Sequence, residues 1–166
     1  MSHLFLVGFM GSGKSTVGTA LADRLDMPFL DLDRAIEQRT QMTIPDIFST
    51  RGEPAFRALE HDELARLAQA PPHVVACGGG VVVDDRSRAL LKALGRVVYL
   101  QVTADEALAR IGSTDGRPLL AGGDPVALGR TLLASRENLY AAVADVTVDT
   151  SGLTTAEVAD AVEVAL

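Results

Sequence analysis

The chain has 166 residues, 48% of them hydrophobic, so we expect a folded domain with a proper core and not a disordered segment. Fifteen Lys and Arg against 22 Asp and Glu give a net charge of −7 with no basic tract, which argues against nucleic acid or an anionic membrane as a partner. A single cysteine excludes an internal disulfide framework, residues 1–15 lack the features of a signal peptide, and no apolar run approaches the roughly 20 residues that span a bilayer. We therefore expect a cytoplasmic monomer.

Short apolar runs alternate with helical periodicity along the whole chain. Five of these runs are predicted to be buried strands: residues 3–7, 28–32, 73–77, 96–102 and 145–148. Alternating strands and helices imply a parallel sheet with helices on both faces. The sequence therefore predicts an α/β fold in three layers, αβα, around a five-stranded parallel sheet.

Capping sequences mark the beginnings and ends of several predicted helices. Residues 103–106 and 154–157 each place a threonine three positions before a glutamate, which is the pattern of a capping box. Gly52 and Gly95 suit helix ends. Because the chain has no repeats and no long linker, residues 1–166 are predicted to form one domain.

A glycine-rich stretch from Gly8 to Thr16 follows the first predicted strand and precedes a helical pattern. Its spacing fits the eight-residue phosphate-binding loop in the strand-loop-helix context that this motif requires. Backbone N–H groups and the helix N-terminus would then face phosphate oxygens, with Lys14 at the outer phosphates and the Ser15 hydroxyl on Mg²⁺. The alternative is a turn that merely starts a helix. The context favours binding of a nucleoside triphosphate.

Two carboxylates, Asp31 and Asp33, lie at the end of the second predicted strand. Ligands of open parallel sheets bind beyond the carboxyl ends of the strands. A carboxylate there can hold Mg²⁺, directly or through water, or can orient a hydroxyl nucleophile. Alternatively, Asp33 only caps a helix that starts at Arg34.

Three further features have both a structural and a functional interpretation. Arg57 and Glu60, three residues apart in a helical pattern, suit an ordinary solvated ion pair. The glycine triplet, residues 78–80, follows the third strand and permits either close approach of the backbone to a ligand or a tight turn. Cys77 fits a small core residue better than a nucleophile.

Arginines supply the positive charge that a phosphotransferase needs. Arg117 lies in a polar, glycine-rich segment, where a mobile arginine could close over the γ-phosphate. Arg57 and Arg136 could form a fork for a planar carboxylate. Their spacing in the sequence leaves open whether they converge.

Taken together, these stretches resemble the shikimate kinase family. The resemblance rests on residues 8–16, 29–33, 47–48, 52–60, 78–80, 116–120 and 136–140, in that order and spacing. A phosphate-binding loop alone is shared by many kinases. Its combination with Phe56-Arg57-x-x-Glu60, the glycine triplet and Gly-Arg-Pro-Leu-Leu at 116–120 is far more specific.

The resemblance implies a P-loop NTPase fold of the nucleoside-monophosphate-kinase type, with a shikimate-binding subdomain near residues 33–61 and a lid near residues 112–124. It also implies phosphorylation of the 3-hydroxyl of shikimate, on the route to chorismate and aromatic amino acids. The implied small-molecule partners are ATP, as co-substrate with Mg²⁺, and shikimate.

The resemblance also assigns roles to individual residues. The implied catalytic residues are Lys14, Asp33 and Arg117. The implied contacts to shikimate are Asp33, Phe48, Phe56, Arg57, Glu60, Gly78, Gly79, Gly80 and Arg136. The implied contacts to ATP are Gly11, Ser12, Gly13, Lys14, Ser15, Thr16, Arg110 and Arg117. The implied metal ligands are Ser15 and, through water, Asp31.

Three departures from the family pattern have local consequences. Gln41 stands where the family commonly has glycine, so the turn there is expected to differ. Residues 151–155 lack the Arg or Pro that many members bring to the adenine. The third strand ends without an aspartate, which leaves Asp31 as the strand-end carboxylate near the metal.

Two rival functions remain open at this stage. One is a kinase that phosphorylates gluconate or a nucleoside monophosphate. The other is a regulatory module that binds ATP without transferring phosphate, although the presence of Asp33, Arg57 and Arg117 on the acceptor side argues against it.

Overall fold

A computed structural model describes residues 2–113 and 116–166 of the chain. Its sheet has five parallel strands in the order β2-β3-β1-β4-β5. The strands are β1 His3–Val7, β2 Phe29–Asp31, β3 Val74–Ala76, β4 Gly95–Gln101 and β5 Val146–Asp149. All five predicted strands are therefore present, with ends that differ from the predicted ones by at most one or two residues.

Helices cover both faces of this sheet, as predicted. They are α1 Lys14–Leu25, α2 Leu32–Thr40, α3 Ile44–Arg51, α4 Glu53–Arg66, α5 Asp85–Leu94, α6 Ala104–Ile111, α7 Pro125–Val143 and α8 Thr155–Ala165. Short 3₁₀ helices lie at Leu67–Gln69, Val81–Val83 and Pro118–Leu120. In the described ranges, no helix combines the length and the apolar character needed to cross a membrane.

The hydrophobic core lies on both sides of the central strand β1. Phe5 and Val7 pack into a cluster with residues of α4, α5 and α7, whereas Leu4 and Leu6 pack against α1 and α8 on the other face. A third, smaller cluster of Ile36, Ile47 and Phe56 joins α2, α3 and α4 beside the sheet. β1 pairs with β3 on one side and with β4 on the other, so the strand order reverses at β1. A crevice for ligands is expected at such a point, beyond the carboxyl ends of the strands.

The two predicted capping boxes have different outcomes. At the start of α8, the Thr154 hydroxyl accepts from the backbone of Glu157, and the Glu157 carboxylate accepts from the backbone of Thr154. At the start of α6, Thr103 caps the helix, but the Glu106 carboxylate bonds instead to Arg110 (2.8 Å) and to the backbone N–H of Gly152 (3.2 Å). Only half of that box forms.

The cap of α2 is Asp31, so the alternative that gave this role to Asp33 is wrong. The helix begins at Leu32, and the Asp31 carboxylate accepts from the backbone N–H of Arg34 at 3.2 Å. Leu32 is fully buried, and its packing against the core starts the helix two residues earlier than the sequence suggested. Asp33 therefore lies within the first turn, and its carboxylate is available for another role.

Gln41 ends α2 in a backbone conformation that glycine adopts most easily. It ends α2 with φ 54° and ψ 32°, in the left-handed region, and its side-chain amide donates to the Gln38 carbonyl at 2.6 Å. The expectation that this turn differs from that of the family stays a prediction. The glutamine keeps the glycine-like backbone conformation at an energetic cost of roughly 1–2 kcal/mol.

We expect the Gln41→Gly variant to be more stable than the parent by about 1 kcal/mol, because glycine adopts this conformation without the clash at Cβ. For a chain of this length, that gain raises the Tm by about 2–4 °C, measurable by thermal unfolding. Gln38→Gly, an exposed position inside the same helix, is the matched control and should lower stability by about 1 kcal/mol. An unchanged or lower Tm for Gln41→Gly would contradict this explanation.

Candidate active site

A cavity of about 740 Å³ opens at the carboxyl ends of the central strands. It is lined by most of the predicted site residues: Gly11, Gly13, Lys14, Ser15, Thr16, Asp31, Asp33, Phe48, Phe56, Arg57, Glu60, Gly78, Gly79, Gly80, Arg117 and Arg136. A smaller adjoining cavity of about 270 Å³ contains the remaining two, Ser12 and Arg110. Residues far apart in the sequence thus meet around one space, which the spacing alone had left open.

The phosphate-binding loop joins β1 to α1 and places the N-terminus of that helix at the cavity. Gly13, with φ 94°, precedes the first residue of α1 and provides no side-chain cap for the helix. The N-terminal N–H groups of α1 are therefore left for a ligand, and the helix dipole favours an anion there. This backbone conformation explains why the spacing of the loop requires glycine at Gly13.

Lys14 lies across this loop. Its ammonium donates to the carbonyls of Gly8 (2.8 Å) and Phe9 (2.9 Å). Burial lowers the pKa of Lys14 to about 8, against the opposing attraction of Asp33. A bound polyphosphate would stabilise the ammonium form, because an opposite charge nearby favours the charged state.

Ser15 and Asp31 form a hydrogen-bonded pair at the edge of the cavity. The Ser15 hydroxyl donates to Asp31 Oδ2 at 2.8 Å, and both residues line the cavity. Within residues 2–113 and 116–166, no group of three or more His, Cys, Asp or Glu side chains is arranged to hold a metal ion. Mg²⁺ commonly binds one or two protein oxygen atoms and completes its coordination with phosphates and water.

Arg57 and Glu60 form a buried ion pair, so the prediction of a solvated pair is wrong. Arg57 Nη1 lies 3.0 Å from Glu60 Oε1, and Glu60 is fully buried. Arg57 Nη2 also contacts Glu53 at 3.1 Å, and the guanidinium lies 5.2 Å from the centroid of Phe56. Helical spacing predicts that such residues can pair, but it does not reveal that this face of α4 turns towards the cavity.

Three buried polar atoms at this end of the cavity lack a hydrogen-bond partner in the part of the chain that the structure describes. They are Asp33 Oδ1, Arg57 Nε and Glu60 Oε2. Buried polar atoms are normally paired, so one donor and two acceptors gathered in one place suit a polar ligand. Phe48 and Phe56, whose rings lie 4.9 Å apart, also line this cavity.

The glycine triplet packs directly against these charged groups. A Cβ atom on Gly80 would lie 2.2 Å from Arg57 Nη2, and one on Gly78 would lie 2.7 Å from both Asp33 Oδ1 and Glu60 Oε2. The triplet makes a tight turn, in which the N–H of Val81 donates to the Gly78 carbonyl at 3.1 Å, as one of the two interpretations predicted. Its glycines leave room for the side chains of Arg57, Asp33 and Glu60, and close approach to a ligand stays a prediction. The segment also begins the 3₁₀ helix Val81–Val83.

Burial dominates the protonation of the carboxylates in this region. It raises the pKa of Asp33, with Asp31 adding to the effect, and raises that of Glu60 to about 7 despite the attraction of Arg57. Burial likewise raises the pKa of the Cys77 thiol, which is 2% exposed and belongs to the core as predicted.

A model of the family described as shikimate kinase matches residues 10–166 of the chain. A shikimate kinase from Halorhodospira halophila is 48% identical over 151 residues, which cover 91% of this chain and 85% of that protein. One from Pseudomonas savastanoi is 45% identical over 150 residues, or 90% of this chain and 87% of its own. The chain belongs to the shikimate kinase family.

A solved shikimate kinase from Acinetobacter baumannii, in complex with shikimate, superimposes with a TM-score of 0.95 at 39% identity, covering 98% of this chain and 91% of that one. A deoxyadenosine kinase from M. mycoides shares the fold alone, with a TM-score of 0.61 at 12% identity. The predicted P-loop kinase fold and the family resemblance are both confirmed. The assignment to the family argues against both rival functions.

Arg110 and the segment after β5 lie beside the phosphate-binding loop. Arg110 donates to the carbonyl of Gly11 (3.4 Å) and to the backbone and side chain of Thr150 (3.0 and 3.1 Å), so it links the phosphate-binding loop to the segment after β5. The smaller cavity beside it is lined partly by Leu153 and Thr155. The segment 151–155 thus lies at this cavity without the Arg or Pro common in the family.

Sequence reasoning missed several residues that line the main cavity, above all Glu37. Glu37 lies four residues after Asp33 on α2, and helical spacing places the two on one face. Its carboxylate accepts from the backbone N–H of Ile44 at 3.0 Å and thereby joins α2 to α3. Extending the helical pattern one turn beyond Asp33 would have found it.

The buried Glu60 predicts a specific dependence of stability on pH. Its pKa in the folded chain, about 7, lies above the usual 4.5, so folding favours the protonated form. The associated stability is fully present below pH 4.5 and is lost as the pH rises through 7. We expect the free energy of unfolding to fall by about 3 kcal/mol over this window.

Urea unfolding at a series of pH values measures the slope of the unfolding free energy against pH. Glu60→Gln should remove most of it, leaving the smaller part due to Asp33. Glu53→Gln is the matched control, since Glu53 also pairs with Arg57 but its side chain is 41% exposed. Equal slopes for the parent and Glu60→Gln would refute the assignment of the titration to Glu60.

Proposed function

We propose that this protein transfers the γ-phosphoryl group of ATP to the 3-hydroxyl of shikimate, giving shikimate 3-phosphate and ADP. One observation carries the proposal: Asp33, Arg57 and Arg136 line the same cavity as the phosphate-binding loop. Shikimate combines a carboxylate with ring hydroxyls, so it needs cationic donors and a carboxylate acceptor at one site. Such a kinase acts on the route to chorismate and aromatic amino acids.

Arg136 supports binding of an acidic substrate. It is 4% exposed, and no carboxylate lies within ion-pair distance of it in the described ranges, whereas Arg57 is paired with Glu60 and Glu53. A buried charge without a partner is costly, so the site is completed by an anion from outside the chain. A planar carboxylate held between Arg57 and Arg136 satisfies this requirement.

Asp33 is the residue proposed to orient the nucleophilic hydroxyl. Its unpartnered Oδ1 can accept the proton of the 3-hydroxyl, and its raised pKa brings it closer to that of a useful general base. Phe48, Phe56 and the glycine triplet would bound the ring. Glu60 would hold Arg57 in place through their ion pair.

Charge neutralisation supplies most of the proposed catalysis, because phosphoryl transfer asks for little covalent chemistry from a protein. Lys14 and Arg117 line the cavity on the phosphate side and would stabilise the equatorial oxygens of the transferring group. Ser15 and Asp31 provide oxygen ligands that suit Mg²⁺, and Asp31 would bind it through water. Bound Mg²⁺ would neutralise charge on the β- and γ-phosphates.

Two segments outside the sheet are proposed to enclose the substrates. The separate small cluster of Ile36, Ile47 and Phe56 supports a shikimate-binding subdomain near residues 33–61. Exposed Arg117 lies in the proposed lid, residues 112–124, of which Thr114 and Asp115 lie outside the described residues. On the nucleotide side, Gly11, Ser12, Gly13 and Thr16 would contact the phosphates, and Arg110 would lie along the adenine.

Purified protein should release ADP from Mg·ATP at a rate that depends on the shikimate concentration, measured by a coupled assay. Gluconate and nucleoside monophosphates are tested in parallel as acceptors. Lys14→Ala, with its fold verified by circular dichroism, reports the background from contaminating ATPase and should abolish turnover. If the folded protein shows no shikimate-dependent turnover, the assignment of shikimate as substrate is refuted. Tight binding of ATP with no turnover on any acceptor would indicate a regulatory module.

We expect two arginine variants to separate binding from chemistry. Arg136→Ala should raise the KM for shikimate by about 10- to 100-fold while leaving the KM for ATP unchanged, because a charged contact to the carboxylate is lost. Arg117→Ala should instead lower kcat by about 100-fold or more, because its contact matters most in the transition state.

Steady-state kinetics with each substrate varied in turn measures both effects. Arg130→Ala is the matched control: Arg130 lies on the same helix as Arg136, but it is solvent-exposed and pairs with Asp105. Its kinetic constants should equal those of the parent. An Arg136→Ala variant with an unchanged shikimate KM would contradict the proposed carboxylate fork.

A further inference from the structure

The carbonyl of Gly79 is held by a side chain from a distant part of the chain. The two outer carbonyls of the glycine triplet accept backbone N–H groups from the 3₁₀ helix that follows, at 3.1 and 3.0 Å. The middle carbonyl accepts from the hydroxyl of Tyr140, which is the only donor to reach it from residues 2–113 and 116–166. The centre of the triplet is therefore anchored from α7.

The Tyr140 side chain is fixed in place and protonated. It is fully buried, and its ring stacks on that of Tyr99 with centroids 5.0 Å apart and planes 27° apart. Burial raises the pKa of Tyr140 to about 12, so the phenol remains a hydrogen-bond donor throughout the neutral range.

Helix α7 contacts the triplet at a second point. Arg136 lies four residues before Tyr140, so the two side chains project from one face of the helix, a turn apart. Arg136 Nη1 lies 3.8 Å from the position of a Cβ atom added to Gly79. The same face thus supplies a cation for the substrate and an anchor for the adjacent backbone.

The glycine triplet has little freedom to shift without disturbing the side chains of Asp33, Arg57 and Glu60. An added Cβ on Gly80 would overlap the Arg57 guanidinium, and one on Gly78 would touch Asp33 and Glu60. Glycines have no side chains to anchor a segment, so its placement depends on backbone contacts alone. A displacement of a few tenths of an ångström at Gly79 would propagate to these neighbours, because the packing is tight.

We propose that Tyr140 is a positioning residue for the acidic substrate. By holding the Gly79 carbonyl, its hydroxyl sets the glycine triplet at the distance from Arg57 and Arg136 that lets both guanidinium groups grip one carboxylate. Tyr140 itself does not line the cavity; its hydroxyl holds the backbone of Gly79 and also interacts directly with the Arg136 guanidinium. The inference rests on the proposed function, because shikimate binding is its kinetic readout.

The test compares Tyr140→Phe with Tyr99→Phe in the full-length protein. Each variant loses one phenolic oxygen from one ring of the same stacked pair, but the Tyr99 hydroxyl makes no hydrogen bond to any residue the structure describes. Tyr140→Phe should raise the KM for shikimate about 10-fold, the effect of one lost hydrogen bond. Its kcat, its KM for ATP and all constants of Tyr99→Phe should stay within about twofold of the parent.

Amide hydrogen exchange across residues 78–83 gives a readout that needs no turnover. Exchange should quicken there in Tyr140→Phe and stay unchanged in Tyr99→Phe. The proposal is overturned if the shikimate KM of Tyr140→Phe is unchanged, if both substrates lose affinity in parallel, if both variants behave alike, or if Tyr140→Phe fails to fold. Wild-type protein that turns over with shikimate separates these failures from a failure of the proposed function.

Discussion

One end of the main cavity is dominated by two guanidinium groups held almost entirely out of water. Arg57 and Arg136 are 8% and 4% exposed in a chain whose net charge is −7. A buried cation is tolerated only when an anion compensates it. Within residues 2–113 and 116–166, Glu60 lies in ion-pair contact with Arg57, whereas no carboxylate lies at that distance from Arg136. One guanidinium is thus neutralised by the fold itself, and the charge of the other is left for the proposed substrate.

Much of the fold was predictable because burial on both faces of a parallel sheet leaves an unmistakable apolar run in each strand. Helix starts were harder, since a cap depends on where tertiary packing begins the helix. Leu32 is pulled into the core, so Asp31 caps α2 in place of Asp33. The Glu106 carboxylate leaves its expected box because Arg110 and Gly152 offer stronger partners nearby.

The sequence predicted most of the residues that line the main cavity, but it did not predict their arrangement. Motif spacing identified the phosphate-binding loop, and family resemblance supplied the acceptor-side residues, but neither could show that Arg57 and Glu60 pair out of water. Burial of the pair depends on which face of α4 turns inward. The positions of charged residues along a helix do not indicate which face this is. Tyr140 was missed because its contact to Gly79 joins positions 61 residues apart.

The buried thiol of Cys77 has a consequence for chemical modification. Cys77 lines the main cavity, which would ordinarily invite attack by electrophiles that enter with or instead of a substrate. Alkylation and oxidation require the thiolate, and burial disfavours that form strongly here. The Cys77 sulfur therefore lies at the wall of the cavity mainly in the thiol form, in which it is a poor nucleophile.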